Sequence, residues 1–415
     1  MSCLYYREHE LHIEHVCLSD IADQYGTPCY VYSREAIVTN VRAFSEAFSD
    51  LPHQLCYAVK ANSNIAILQV LAGLGTGFDI VSGGELSRVV AAGGNVNHIV
   101  FSGVGKSHDD IVQAINFGIF CFNVESEAEL ERIAEIATSL KKTANIMLRV
   151  NPDIDAKTHS YISTGLRENK FGMNTKDIIA LFKRIKSLPS LKLIGIGAHI
   201  GSQITELQPF LLSLDHLLAI TETLQELEMQ IDYLNIGGGL GITYRDETPP
   251  TVAAYAEAIR KKMTHQSLTL ILEPGRSIVG NAGVLLTKIE YLKDNGTRHF
   301  AITNAGMNDL MRPALYNAWQ NILPVKEQTT ATSRFDVTGP VCESADFLGK
   351  DRLLAIATGE LLAVDCAGAY GFSMSSNYNS RCRPPEILVS GNQPHLIRRR
   401  ETIEDAMSFE QLVLE

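Results

Sequence analysis

No two of the eight cysteines in this 415-residue chain form a C-x-x-C pair. Their scatter from Cys3 to Cys382 suits neither a disulfide framework nor a zinc ribbon, and a reducing, cytoplasmic compartment is expected. Long apolar runs are missing as well. Met1 to Glu14 alternates charged and apolar residues without the core of a signal segment, and no later stretch is long enough to span a bilayer. Positive charge is scarce: 36 Lys and Arg stand against 47 Asp and Glu, a formal net charge of −11. The longest arginine run is Arg398-Arg399-Arg400, so neither nucleic acid nor membrane is expected as a partner. Short-period repeats and low-complexity tracts are also absent. What is there, 45% hydrophobic and 20% charged residues, is the composition of a soluble globule. The length calls for one barrel-sized domain and a smaller one.

Short apolar runs recur along the first two thirds, each followed by a polar or glycine-rich turn and a helical pattern. They are Leu55 to Val59, Phe78 to Val81, Ile99 to Phe101, Cys121 to Val124, Ile146 to Val150, Ile194 to Ile200, Tyr233 to Ile236 and Leu268 to Leu272. Eight such strands close a (β/α)8 TIM-like barrel, so the expected class is α/β. Helical spacing marks one face at Glu127, Leu130, Ile133 and Ile136, and another at Phe210, Leu211, Leu214, Leu217 and Leu218. After about residue 280 the texture changes to alternating segments such as Val284 to Glu290 and Leu361 to Asp365, which predict a β domain. The expected division is a barrel over residues 32–280 and a β domain over 281–415, with residues 1–31 grouped with the latter. Cys29-Tyr30-Val31-Tyr32 reads as a strand that either pairs into the β domain or caps the barrel; the sequence leaves both open.

In a barrel, chemistry belongs at the C-terminal strand ends. The first run ends in Lys60, which either reaches for solvent or, partly desolvated with a depressed pKa, serves as a Schiff-base nucleophile. The sixth is followed by His199-Ile200-Gly201-Ser202-Gln203, the seventh by Gly237-Gly238-Gly239-Leu240-Gly241, the eighth by Glu273-Pro274-Gly275-Arg276. Glycines let backbone N–H groups approach an anion, and Ser202 and Arg276 add side-chain donors, so phosphate is the expected ligand there. A phosphate grip with a strand-end lysine points to pyridoxal phosphate, its aldehyde held by Lys60, its pyridine nitrogen by Glu273 and its ring face by His199. Two clusters in the β-rich part add to this. Met311-Arg312-Pro313-Ala314-Leu315-Tyr316 offers a guanidinium and a phenol one turn apart, a clamp for a substrate carboxylate. Gly339-Pro340-Val341-Cys342-Glu343 sets a thiol able to deliver a proton beside a carboxylate able to bind an ammonium group. Taken alone, a cysteine such as Cys342 is more often a small buried hydrophobe.

The motifs YAVKAN at Lys60, HIGSQ at His199, GGGLGI at Gly237, EPGR at Glu273, AGMNDLMRPALY through Tyr316, GPVCESADF at Cys342 and GAYGFSMSSNYNSR through Arg381 resemble the diaminopimelate decarboxylases. Asn151-Pro152-Asp153, Thr158 to Gly165 and Asn169-Lys170-Phe171-Gly172 add to the likeness, which runs from about Ile21 to Val389. The resemblance implies an alanine racemase-like, fold-type III pyridoxal phosphate enzyme, a homodimer with its active site shared across the interface. It implies decarboxylation of meso-2,6-diaminopimelate to L-lysine, the last step of lysine biosynthesis.

By that likeness Lys60 carries the cofactor, His199 stacks on its ring and Glu273 pairs with its nitrogen. Ser202, Gly239, Gly275, Arg276 and Tyr370 surround the phosphate, with Asp79, Gly238 and Pro274 among the cofactor's other contacts. Arg276, Arg312 and Tyr316 hold the distal carboxylate of the substrate, Tyr370 adjoins it, Glu343 takes its distal amine, and Cys342 from the partner subunit assists proton delivery. Three positions depart from the family pattern: Asn304 where Asp is usual, Gly197 where a second His is common, and Cys382 in place of Pro.

Two weaker motifs point elsewhere. Gly103-Val104-Gly105-Lys106-Ser107 lacks the earlier glycine of a nucleotide-binding loop, since Val100 occupies its place. His9, His12 and His15 have three-residue spacing, but a strand-like, acid-interleaved segment gives them no convergence on a metal. The competing functions are a class I aldolase, which needs neither Glu273 nor a β domain; a decarboxylase of ornithine, lysine or carboxynorspermidine; and a catalytically dead homologue, against which the retained Lys60, Cys342 and Glu273 argue.

Overall fold

A computed structural model describes residues 3–413 apart from 157, 160, 161, 167, 265, 266 and 330 and the side chain at 179. Ser160 and Tyr161 of the motif quoted above thus lie outside the described residues. The chain divides into two compact units. One comprises Val38–Ile242 and Glu247–Ile278; the other holds the residues up to Ile37, the short excursion Thr243–Asp246, and everything from Val279 onward.

Strands β1 (Leu4–Arg7), β2 (Glu10–Ile13) and β3 (Val16–Cys17) form a small antiparallel sheet of their own. Strand β4 (Cys29–Ser33), buried along its whole length, instead enters the large sheet. The first unit is a closed barrel of β5 (His53–Ala58), β6 (Gly77–Ile80), β7 (Ile99–Phe101), β8 (Cys121–Val124), β9 (Ala144–Arg149), β10 (Leu191–Gly197), β11 (Tyr233–Asn235) and β12 (Thr269–Leu272). Neighbouring barrel strands are parallel, β12 closing on β5. Cys56, Val100, Cys121, Met147, Ile194 and Ile271, one from each of six strands, pack into a single buried cluster. Removing those side chains from water is what closes the barrel.

The eight apolar runs coincide with the eight barrel strands, and the ends differ for local reasons. Val59 leaves the ladder for the 3-10 turn Val59–Ala61 that carries Lys60. Strand β10 stops at Gly197, and Ala198 to Ile200 continue as loop. Helix starts follow capping chemistry: Ser82, Ser107, Ser126 and Thr251 each accept a backbone N–H of the turn they open. Ser107 closes a full capping box with Asp110, so the serine of the Gly103–Ser107 segment is a helix cap. Helix Glu127–Ser139 buries Leu130, Ile133 and Ile136 and leaves Glu127 in solvent. Helix Gln208–Glu226 buries Phe210, Leu214 and Leu217, with Leu211 and Leu218 half-buried.

The second unit is built on a nine-stranded sheet containing β13 (Gly283–Asp294), β14 (His299–Thr303), β15 (Ile322–Pro324), β16 (Ser333–Thr338), β17 (Phe347–Leu354), β18 (Leu361–Val364), β19 (Glu386–Ser390) and β20 (Gln393–Arg398) besides β4. Strand β4 pairs antiparallel with β13 and parallel with β19, which settles where the strand at Cys29 goes. Leu11, Ile13, Leu18 and Ile21 of the N-terminal segment join Val31, Val284, Leu286, Ile387 and Val389 in one core. Among the described residues no helix is long and apolar enough to cross a membrane.

Candidate active site

At the C-terminal end of the barrel, Lys60 Nζ lies 2.9 Å from Asp79 Oδ2. Register places Asp79 beside Ala58 on the adjacent strand, so the lysine two residues on comes within reach. Asp79 is 0% exposed. Its Oδ1 has no hydrogen-bond partner among the described residues. A buried carboxylate with an open oxygen is costly unless something cationic completes it.

Glu273 follows β12 and is buried. Asn235 Nδ2 donates to its Oε1 at 2.6 Å and Asn123 Nδ2 at 3.2 Å. Burial, and next the charge of Asp79, pushes its carboxyl up, against the opposing pull of Lys60 and Arg149. Both amides address Oε1, which leaves Oε2 as the oxygen for a further donor. Asn123 is itself steadied by a bond from its Nδ2 to Ser102 Oγ at 2.9 Å.

His199 follows β10. Gly238 N donates to its Nδ1 at 3.2 Å, which assigns the ring proton to Nε2. Burial, with Lys60 and Arg149 nearby, holds the imidazole well below its ordinary value, so it is neutral. Arg149, at the end of β9, pairs with Glu125 at 2.6 Å. Lys60, Asp79, Asn123, Arg149, His199, Asn235 and Glu273 line one cavity.

Beside it, Ser202 Oγ accepts from Arg276 Nη2 at 3.1 Å and from Nε at 3.4 Å. The glycine segment after β11 is stitched to this loop by Ile204 N donating to Gly239 O at 2.9 Å. A Cβ at Gly238 would collide with the Glu273 carbonyl and one at Gly239 with the Gly201 carbonyl, and Gly239 has φ +107°. Only glycine fits there. Gly275 packs its missing side chain against Ala58 and Ala61, and Pro274 O accepts from Ala58 N at 3.1 Å.

The remaining expected residues belong to the second unit. Arg312 opens the short helix Arg312–Tyr316, is buried, and stacks its guanidinium over the Tyr244 ring at 4.5 Å. Tyr316 and Tyr370 are half-buried, and Tyr370 has φ +56°. Cys342 and Glu343 are exposed, in a turn organised by Asp346. Asp346 accepts from Met307 N at 2.6 Å and Val341 N at 2.7 Å, and Cys342 N donates to Asn379 Oδ1 at 2.8 Å. Cys342 is therefore not the small buried hydrophobe that a cysteine usually is.

Sequence reasoning passed over Ser102, Asn123, Glu125, Arg149, Asn235 and Asp346. A signal was available for the barrel residues: each is a polar side chain at the end of a strand or just beyond it. Two of the three departures have local explanations. A Cβ at Gly197 would lie 2.6 Å from that of Asn235, so a side chain there excludes the amide that serves Glu273. Asn304 Nδ2 donates to Thr27 O and Oγ1 while its Oδ1 accepts from Thr287 Oγ1 and Lys288 N, a pattern an aspartate cannot reproduce. Cys382 is half-buried, and nothing in the structure explains it.

Residues 34–280 match the family model of the pyridoxal-dependent decarboxylase, pyridoxal binding domain. The chain is 54% identical to a diaminopimelate decarboxylase of Pseudomonas aeruginosa, over 100% of both chains. Among solved structures, diaminopimelate decarboxylase from Helicobacter pylori complexed with L-lysine superposes with a TM-score of 0.92 at 41% identity, covering 95% of this chain and 99% of that one. The M. jannaschii enzyme in co-complex with L-lysine gives 0.94 at 38% identity, covering 99% and 98%. Pyridoxal phosphate is the cofactor of this family, and the barrel end suits it. An amine stands beside an unfinished carboxylate, a buried acid has an oxygen open to a ring N–H, and a glycine cradle adjoins a serine–arginine pair. By the matched domain and the full-length identity, this chain belongs to the pyridoxal phosphate-dependent decarboxylases, within the diaminopimelate decarboxylase family.

Proposed function

We propose that this chain decarboxylates meso-2,6-diaminopimelate at its D-configured carbon, releasing CO2 and L-lysine. The observation that carries the reading is the convergence of Lys60, Asp79, His199 and Glu273 on one cavity in a chain that matches diaminopimelate decarboxylases along its length. Lys60 would hold the cofactor's aldehyde carbon, His199 its ring face, and Ser202, Gly238, Gly239, Pro274, Gly275, Arg276 and Tyr370 its phosphate and surroundings. When bound, pyridoxal phosphate supplies an electron sink for the carbanion left as CO2 departs.

The protein's part is electrostatic and positional. Glu273, shut away from water, is stable as a carboxylate only opposite a cation, which favours a protonated pyridine nitrogen. Asn123 and Asn235 fix the carboxyl so that it need not reorganise. Neutral His199 offers an uncharged ring face, because its Nδ1 is occupied by Gly238 N. Asp79 keeps the Lys60 amine oriented. Arg276, Arg312 and Tyr316 would take the distal carboxylate, Tyr370 adjoining it, and Glu343 the distal amine. Cys342 would bring a proton to the α-carbon.

Cys342 and Glu343 act on this reading from the second subunit of a homodimer, and their exposure supports it. The eight cysteines are free, which supports a cytoplasmic location, and the acidic charge supports the absence of a nucleic-acid partner. The test is CO2 release by the protein with pyridoxal phosphate, given meso-diaminopimelate, L-lysine or L-ornithine in turn, beside Lys60→Ala. Release from diaminopimelate alone, abolished in the variant, is expected. Release from lysine or ornithine instead would reassign the substrate.

A further inference from the structure

We propose that the β unit carries a further site that binds a small oxyanion, phosphate or carboxylate, between β17 and the segment formed by helix Arg312–Tyr316 and the residues after it. An open pocket lies there, lined by Arg245, Asn317, Trp319, Phe347, Lys350 and Arg352 among others. No carboxylate lines it among the described residues. Arg352 is the centre of the argument. It is 6% exposed, and its Nε and Nη1 have no hydrogen-bond partner among the described residues.

Its guanidinium lies over the Trp319 ring, 3.0 Å from the centroid, and that of Arg245 stands 4.4 Å from the same ring. Stacking on an aromatic face leaves the N–H edge of a guanidinium available for an acceptor, the geometry by which arginine takes a planar or tetrahedral oxyanion. Gly349 keeps the approach open, since a Cβ there would collide with Arg352 Nε. Burial, and then the charge of Arg245, brings Arg352 down to about 10, which leaves it cationic at neutral pH and lacking an anion. Arg245 does have an ion pair, with Asp246 at 3.1 Å, but both are largely exposed and the pair is weak in water. Lys350, 4.3 Å over the Phe347 ring, adds a third cation at the rim.

The experiment is calorimetric titration of the full chain, loaded with pyridoxal phosphate so that the barrel's own phosphate grip is filled, with inorganic phosphate at constant ionic strength set by chloride. One saturable site per chain is expected. Affinity should fall at least tenfold in Arg352→Met, and also in the doubly substituted Arg245→Gln with Lys350→Gln, whose exposed positions leave folding unaffected. Equal binding by wild type and the double variant would overturn the proposal, as would a response to ionic strength alone. So would variants that change the monomer–dimer equilibrium in sedimentation while phosphate binding stays the same, since a carboxylate of a second copy would then be the occupant.

Discussion

The barrel end and the turn from Gly339 to Asp346 hold their reactive groups in opposite ways. In the barrel, Lys60 pairs with Asp79, and Asn123 and Asn235 donate to Glu273, all of them lining one cavity. In the turn, buried Asp346 spends both oxygens on backbone N–H groups, and Cys342 and Glu343 are left in solvent. A preorganised, low-dielectric site is finished by its cofactor; an exposed thiol on a rigid turn has nothing to exclude water from it. The difference teaches that the turn's backbone is fixed by its own buried carboxylate while its thiol and carboxylate stay open to solvent.

The largest effect should come from mixing chains. Lys60→Ala and Cys342→Ala should each lose roughly a thousandfold or more of CO2 release. Refolded together they should recover about a quarter of wild-type activity on the proposed homodimer, in which half the dimers would hold one intact shared site. No recovery would mean that Cys342 serves its own chain. Glu273→Gln comes next: turnover should drop roughly 10²–10³-fold with little change in KM, together with a shift in the visible absorbance of the bound cofactor. An unchanged spectrum would detach Glu273 from the ring.

Asp346→Ala should separate scaffold from chemistry. It strips the Met307 and Val341 N–H groups of their acceptor in a buried place and should cost roughly 3–4 kcal/mol by denaturant titration. Cys342→Ser, by contrast, should leave the melting temperature unchanged while lowering turnover. The smallest effect is one of pH. Asp309, in the β unit, is raised by burial from 3.8 to about 6. Between those values the unfolded chain gives up this proton and the folded chain keeps it. Its stabilising contribution is therefore full below pH 4, declines as pH rises, and is gone above about 6, a change of at most about 3 kcal/mol. Stability measured from pH 4 to 7 should show that decline in the wild type and lack it in Asp309→Asn.

Much of this molecule was legible before the structure. The eight apolar runs named the barrel strands, and the residues after them named Lys60, His199, the glycine segment and Glu273. Less legible were short reassignments. Thr243–Asp246 reads as an ordinary barrel loop, yet joins the β unit, where Tyr244 underlies Arg312 and Arg245 faces Trp319. The path of Cys29–Ser33 was ambiguous because a buried strand looks the same whichever sheet receives it. Asn123 and Asn235 carry only the weak signal of a polar side chain near a strand end, which does not say what carboxyl they will meet.

By itself the sequence determined what depends on neighbours along the chain: hydrophobic period, the glycines that positive φ and close backbone approach require, the caps, and the reactive residues at strand ends. Tertiary structure alone decided which of these meet. Asn123 and Glu273 stand 150 positions apart and Asn235 stands 38 from Glu273, yet all three share one carboxyl oxygen. Only closure of the barrel brings their strands together, because side-chain convergence is a property of register and curvature that no local pattern encodes.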